Sequence, residues 1–429
     1  QNPNSPPAPL LSSPLADSSS TIHRAGPSQR RASATMMKWW WAGAFGAFKK
    51  RRASSRARAA AEAPQNNVAL VVGSTGIVGA ALLDILPLRD TPGGPWKVYA
   101  LSRRPLPPWS APLPPDVFHH HLDLADPAAV ADALAPLTDV THVFYVAWDP
   151  RPTHAEGREA NGAMLRNVLS ALVPNCPGLL HVCLQTGRKH YVDPFEPLTD
   201  VPLALRPYSE DLPRLDYPDL EDVLLDGLAS NNSVTWSVHR PTTIFGFSPR
   251  SARNVVASLC VYAAICGKEG LVLRWPGSRV AWEGFSDASD AELVAEHALW
   301  AAMEPNGKNE PFNCSNGDLF KWQQLWPILA SQFGVKWTGY PGEDQRFMLE
   351  EAMAGKEGVW SEIVNENGLV ETELNDITNW FCVDAMVNVE RENLDTMNKS
   401  KEYGFFGFRN TVRSFNTWIN KMKVDKIVP

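Results

Sequence analysis

Seven consecutive residues, Gly73-Ser74-Thr75-Gly76-Ile77-Val78-Gly79, carry the clearest chemical signal in the chain. They directly follow the apolar run Val68–Val72 and open a helix-period segment, Ile77–Leu86. Glycines at this spacing permit a tight turn and close backbone approach, and the helix start offers unpaired N–H groups to a pyrophosphate. Three glycines alone are a weak signal. The strand before and the helix after make them a dinucleotide site, with Gly73, Thr75, Gly76, Ile77 and Gly79 as expected contacts. Where an acidic residue would receive the ribose hydroxyls at the end of the second strand, the chain has Ser102-Arg103-Arg104. A guanidinium there offers a 2′-phosphate both charge and forked hydrogen bonds, so the expected cofactor is NADPH. The bland alternative is a pair of solvated loop arginines. Asp123 and Leu124, just past the third strand, stand where the adenine edge would lie. His119-His120-His121 looks like a metal tract, but consecutive strand residues point to alternating faces and cannot converge. The run is read as structural, and no metal site is expected.

Those residues need a scaffold. Val68–Val72, Lys97–Leu101, Val117–Leu122, Thr141–Val146, Leu179–Leu184 and Val234–His239 read as strands, mostly apolar on both faces. Strands buried on both sides imply a parallel sheet covered by helices. Helical segments fall between them at Ile77–Leu86, Pro127–Leu137 with Asp126 as N-cap, His154–Leu172 and Leu220–Ala229. The repeated strand–helix–strand pattern gives an α/β, doubly wound parallel-sheet Rossmann fold over residues 67–250. Residues 251–429 turn helical and aromatic, a smaller substrate-binding region expected to pack on the Rossmann core and to wall an apolar cavity.

A reductase on such a scaffold commonly uses a tyrosine four residues before a lysine, the ammonium lowering the phenol's pKa and gripping the nicotinamide ribose. None of the eight tyrosines has Lys at the fourth following position. Either the chain binds a dinucleotide without catalysis, or the lysine comes from another segment. Leu184-Gln185-Thr186-Gly187-Arg188-Lys189-His190-Tyr191 ends the fifth strand, at the edge where ligands of open α/β sheets bind. Lys189 is within reach of a nicotinamide there.

The stretch Leu184–Tyr191 with Pro194-Phe195-Glu196, the segment Trp236-Ser237-Val238-His239-Arg240-Pro241 through Ile244-Phe245-Gly246-Phe247-Ser248-Pro249, and Asn398-Lys399-Ser400-Lys401-Glu402 through Gly407-Phe408-Arg409-Asn410 resemble the plant progesterone 5β-reductase/iridoid synthase family. The likeness runs from about Met37 to the closing Lys426-Ile427-Val428-Pro429. It implies an atypical extended short-chain dehydrogenase that reduces the C=C bond of activated enones with NADPH, Δ4-3-oxosteroids and 8-oxogeranial among them. It also implies two catalytic residues. The lysine of the Gln-Thr-Gly-x-Lys stretch maps onto Lys189. The tyrosine before a Leu-Glu-Asp helix maps onto Tyr217 when counted back from Leu220, which would set Tyr217 against the cofactor as well. Family members usually carry Asn-Phe-Tyr-Tyr before that helix, and this chain is about four residues shorter there; counted forward from Pro213-Arg214-Leu215, Tyr217 becomes a neighbour and the donor is deleted. Gln185, Ala147-Trp148 (Thr-Trp in the family), Ile244 and Ser251 are carried over as cofactor contacts. Cys382 stands where the family commonly has Phe, so substrate preference is not carried across.

Three function classes therefore stay open: an enone reductase, a catalytically impaired NADPH-binding regulator, and a reductase of the carbonyl itself. Charge narrows the partners. Of a net −7 over 429 residues, residues 1–66 carry ten Lys and Arg against Asp17 and Glu62, leaving a body of net −15. A body that acidic is a poor partner for nucleic acid. A small hydrophobic enone is the expected ligand, with a homodimer as the one assembly envisaged. The longest apolar stretches, Trp39–Phe48 and Val255–Cys266, are shorter than a spanning helix requires. The six cysteines show no metal or disulfide spacing, which suits a reduced, cytoplasmic setting. The Ser, Pro and Arg-rich extension 1–66 is expected to be disordered. Residues 1–35 are read as upstream of a start at Met36 or Met37, or else as a plastid transit peptide.

Overall fold

Apolar runs with no alternation become parallel strands because both of their faces are covered, and the first six strands follow the sequence reading closely. The computed structural model describes residues 67–107, 110, 112–191, 207–212 and 220–429. In chain order the elements that matter are β1 (Val68–Val72), α1 (Ile77–Ile85), β2 (Lys97–Ser102), β3 (Val117–His121), α2 (Pro127–Leu134), β4 (His142–Tyr145), α3 (His154–Asn175), β5 (His181–Gln185), α4 (Leu220–Leu228) and β6 (Thr235–Pro241). They continue with α5 (Val255–Glu269), α6 (Ala291–Met303), β7 (Glu310–Cys314), α7 (Trp322–Phe333) and α8 (Thr411–Val424). The seven strands form one sheet in the order β7-β6-β5-β4-β1-β2-β3, and every pairing in it is parallel. Strand order reverses between β1 and β4, which opens a crevice at their C-terminal ends.

Two helix layers cover the sheet. Leu70, Val72, Val143, Tyr145, Val182, Leu184 and Val238 point to one side and pack with Val130, Leu165, Val168 and Leu224 of α2, α3 and α4. On the other side α1 packs against α6, which lies across β5 and β6. Helix starts are fixed by side chains: the Asp126 carboxylate accepts from the N–H groups of Ala128 and Ala129, with Pro127 in the first turn, and Thr153 and Glu156 form a capping box on α3.

The seventh strand is a departure. β7 comes from beyond residue 250 and extends the Rossmann sheet at its edge, Glu310 pairing with Ser237 and Cys314 with Pro241. The Rossmann and helical parts thus share the sheet, and the described residues lie in one compact unit. The helical part has its own core, in which α5 is buried from Val255 to Cys266 among Trp275, Trp322, Trp326 and Trp360. That burial accounts for the apolar stretch in α5; among the described residues no helix is long and apolar enough to cross a membrane. All six cysteines are free thiols. The extension 1–66 lies outside the described residues.

Candidate active site

The glycine turn leaves β1 at Gly73, whose φ of +93° is a left-handed value that side chains rarely adopt. A Cβ on Gly73 would also lie 2.7 Å from the Cα of Ala147, and one on Gly79 would lie 2.1 Å from the Gly73 carbonyl oxygen. The N–H groups of Gly73 and Ser74 both donate to the Leu101 carbonyl at 2.9 Å, tying the turn to the end of β2. Gly76 caps α1 with extended backbone, and no side chain satisfies that helix end. The Ser248 hydroxyl donates to the carbonyl of Thr75, so the loop after β6 is seated on the turn. A turn that lacks Cβ atoms at Gly73, Gly76 and Gly79 and leads into an uncapped helix N-terminus fits a pyrophosphate.

Beside it stands a group of cations. Ser102 is buried, and its hydroxyl donates to the Arg104 carbonyl at 2.5 Å and accepts from His119 at 2.8 Å. Its hydroxyl therefore shapes the arginine turn. Arg103 and Arg151 share the Asp149 carboxylate, at 3.1 and 2.6 Å. Arg250 pairs with Asp376 at 2.9 Å, while Arg104 donates to the Arg250 carbonyl. Burial, then repulsion from Arg103 and Arg250, lowers the Arg104 pKa despite Asp376 and Asp149. The surplus positive charge at Arg104 suits an anion. Past β3, the Asp123 carboxylate accepts from the Ala125 N–H at 3.0 Å. Leu124 is buried in the core, with its carbonyl taken by Asn167 at 2.9 Å.

Lys189 sits in a 3₁₀ turn, Arg188–His190, just past β5. Its ammonium lies 4.9 Å from the ring centre of Trp148, a cation–π contact. Trp148 follows Ala147 past the end of β4 and is exposed. Gln185 ends β5 with its side-chain oxygen buried and no donor upon it among the described residues. The start of α4 is fastened to the same edge: Glu221 takes both arms of the Arg240 guanidinium at 2.9 and 2.7 Å and lies 3.3 Å from His190. Burial alone would raise the Glu221 pKa, yet the hydrogen bonds from His190 and Arg240 hold it at about 2. Ile244 pairs with Ser289 in a short two-stranded ladder. Ser251 donates its N–H to the Ser248 carbonyl at 3.2 Å, and its hydroxyl accepts from Arg253 at 3.2 Å.

The crevice edge thus brings together the glycine turn, Ala147-Trp148, Lys189 and the loop carrying Ser248 and Ser251. Tyr217 lies outside the described residues. Among the described residues no group of three or more His, Cys, Asp or Glu could hold a metal. Sequence reasoning missed Asp149, took Ser248 and Arg250 only as part of the turn from Ile244 to Ser251, and gave no role to Arg188 or Glu221 although both stood in quoted motifs. Apart from Arg151 beside Asp149, their partners are far away along the chain, where no spacing signal reaches.

A parallel sheet with a strand-order reversal, and a glycine turn at that reversal, define a Rossmann-type protein with a dinucleotide-binding crevice. Residues 69–429 match the model of the PRISE-like Rossmann-fold domain, and the chain belongs to that family, the progesterone 5β-reductase/iridoid synthase family of plants. It is 55% identical over 378 residues to an (S)-8-oxocitronellyl enol synthase of Nepeta cataria, covering 86% of this chain and 95% of that one. It is 54% identical over 367 residues to a 3-oxo-Δ(4,5)-steroid 5β-reductase of Arabidopsis thaliana, covering 85% and 93%. Among solved structures, RMD of Pseudomonas aeruginosa in complex with NADPH superposes with a TM-score of 0.56 at 17% identity, over 84% of this chain and 98% of that one. An epimerase of Methanothermobacter thermautotrophicus gives 0.58 at 14% identity, over 84% and 94%. These two likenesses concern the fold.

Proposed function

We propose that this chain is an NADPH-dependent reductase of the C=C bond of activated enones: Δ4-3-oxosteroids, as one relative's name describes, or enals like 8-oxogeranial, as the family resemblance implies. One observation carries the reading. A lysine ammonium stands over Trp148 at the crevice edge that also holds the dinucleotide turn, in a chain more than half identical to a steroid 5β-reductase.

The turn Gly73–Gly79 and the start of α1 hold the pyrophosphate through backbone N–H groups. Arg103 and Arg104 hold the 2′-phosphate, which is the reason for preferring NADPH over NADH. Asp123 and Leu124 border the adenine, and Ala147, Trp148, Gln185, Ile244 and Ser251 border the nicotinamide half. The bound cofactor supplies the hydride, which adds to the β-carbon of the enone. Negative charge then gathers on the substrate's carbonyl oxygen as an enolate. Tyr217, assigned from its place three residues before α4, donates a hydrogen bond to that oxygen, a contribution of about 3 kcal/mol by comparison with the loss of one oxyanion donor. Lys189 holds the ribose and, as a nearby cation, lowers the phenol's pKa. Solvent protonates the α-carbon, so no second acid is required. The helical region supplies the apolar walls that a hydrophobic enone needs.

The test is NADPH oxidation with progesterone, 2-cyclohexen-1-one and 8-oxogeranial, followed by product analysis. The expected products are reduced at the C=C bond. An allylic alcohol would mean carbonyl reduction instead, and tight NADPH binding without turnover on all three would mean a regulator.

A further inference from the structure

Lys189 is one residue of a 3₁₀ turn, and in such a turn successive side chains point about 120° apart. Fixing the directions of its two neighbours therefore fixes the third. Both neighbours are held. Arg188 is turned inward, where one terminal nitrogen of its guanidinium pairs with Asp287 and its Nε donates to Asp395 at 2.9 Å. The two acids are themselves linked, the Asp395 N–H donating to the second oxygen of Asp287 at 2.8 Å. On the other side His190 is buried 3.3 Å from Glu221 of α4. Tyr191 then closes the turn: its hydroxyl donates to Asn313 at 2.8 Å and accepts from Arg240 at 2.9 Å, and its ring stacks on Tyr208 with centroids 5.4 Å apart.

Asp287 and Asp395 belong to the part of the chain beyond residue 250. Asp287 leads into α6, and the strand-like segment around Asp395 pairs with Tyr208, which in turn lies on Tyr191. The guanidinium is thus a direct link between the lysine turn and the part beyond residue 250, beside the hydrogen bond from Tyr191 to Asn313. Burial opposes its charge, and the two carboxylates outweigh burial and hold it protonated. Its forked geometry suits this pair, because two N–H groups fixed in one plane meet one oxygen of each acid, a rigid hold that a compact ammonium on a flexible stem does not reproduce.

We propose that Arg188 is a positioning residue: by bridging Asp287 and Asp395 it fixes the rotation of the Arg188–His190 turn and so aims Lys189 over Trp148 into the crevice. The inference rests on the role given to Lys189 above. If it holds, Arg188 acts on turnover through Lys189 and through nothing else.

A double-mutant cycle tests this, using the full chain, NADPH and 2-cyclohexen-1-one. Turnover and NADPH affinity are measured for the unsubstituted protein, Arg188→Lys, Lys189→Met and the double variant. Arg188→Lys keeps the charge and loses the fork, and should lower kcat by about tenfold to a hundredfold, the scale of a small misplacement of a reacting group. In the Lys189→Met background the same change should cost less than about twofold. An equal loss in both backgrounds, or full turnover of Arg188→Lys, overturns the proposal. If Lys189→Met alone keeps full turnover, the role of Lys189 is wrong, and the Arg188 proposal falls with it for that separate reason. Should Arg188→Lys fail to fold, Asp395→Asn takes its place, since it leaves Arg188 paired with Asp287; the same non-additivity with Lys189→Met is expected, and additivity overturns the proposal.

Discussion

Arg104 and Tyr217 make the sharpest demands on chemistry. Arg104 is crowded by Arg103 and Arg250 and donates to a backbone carbonyl, whereas Arg103 and Arg250 each hold a carboxylate. An anion is worth most where positive charge is least compensated. Hydrogen bonds to charged groups contribute about 1.5–3 kcal/mol, which is about tenfold to a hundredfold in binding. Arg104→Ala should therefore weaken NADPH binding by that factor while NADH binding stays within about twofold, as titration of each cofactor would report. Equal weakening of both would mean that the arginine supports the turn and does not read the phosphate. Tyr217→Phe separates holding from catalysis. It should lower kcat by about a hundredfold to a thousandfold with NADPH affinity changed only a few-fold. Full activity of this variant would move the proton-donor role to another residue.

At the scale of elements, the start of α4 is set by one ion pair. Glu221 is held ionised by His190 and Arg240, and Arg240 is buried on β6. Removing one partner leaves an uncompensated buried charge, so Glu221→Leu should lower unfolding free energy by about 3–5 kcal/mol, measured in denaturant. The double change Glu221→Leu with Arg240→Met removes both charges and should be milder; a double variant less stable than the single would contradict this account. Such pairs explain what the sequence could and could not tell. β1, β2, β4 and β5 were legible because a mainly apolar run on both faces has one stable destination, a covered parallel sheet. β7 was not, because Glu310-Pro311-Phe312-Asn313-Cys314 has neither a β-branched run nor alternation; an edge position tolerates its proline. The glycine turn was legible because its chemistry is local. Arg188 and Asp395 lie 207 positions apart, and only the fold brings them together.

The whole molecule carries a line of buried polar groups across its sheet. His181 Nε2 meets the Ser237 hydroxyl at 3.0 Å, which meets His239 Nε2 at 2.9 Å; His239 Nδ1 meets His297 Nδ1 at 2.7 Å, and His297 Nε2 meets Ser400 at 3.0 Å. The line joins β5 and β6 to α6 and to the helical turn Asn398–Glu402, binding the Rossmann sheet to the C-terminal part. Burial holds these imidazoles neutral: the pKa of His239 falls to about 3, those of His181 and His297 lie well below the ordinary value, and His142 on β4 is lowered to about 4. In the unfolded chain each takes a proton near pH 6.5. Between pH 6.5 and 4 the unfolded state therefore binds more protons at these sites, and their contribution to stability falls as pH falls, by on the order of 3 kcal/mol for His239 over that window. Asp395 works in the opposite sense. Burial, against Arg188, pushes its pKa up to about 7, so its contribution is greatest in acid and is lost as pH rises toward 7. Asp84, Glu210, Glu296, Asp384 and Asp425 are also raised by burial and act in the same sense as Asp395, while below pH 4.5 the loss of the Glu221 contribution acts with the histidines. The imidazole share is therefore read as a difference: relative to a His239→Gln variant, the unsubstituted protein should lose on the order of 3 kcal/mol of unfolding free energy from pH 6.5 to 4, measured in denaturant at constant ionic strength. A difference that stays constant over that window would mean that His239 is protonated in the folded protein, and that the line across the sheet is charged.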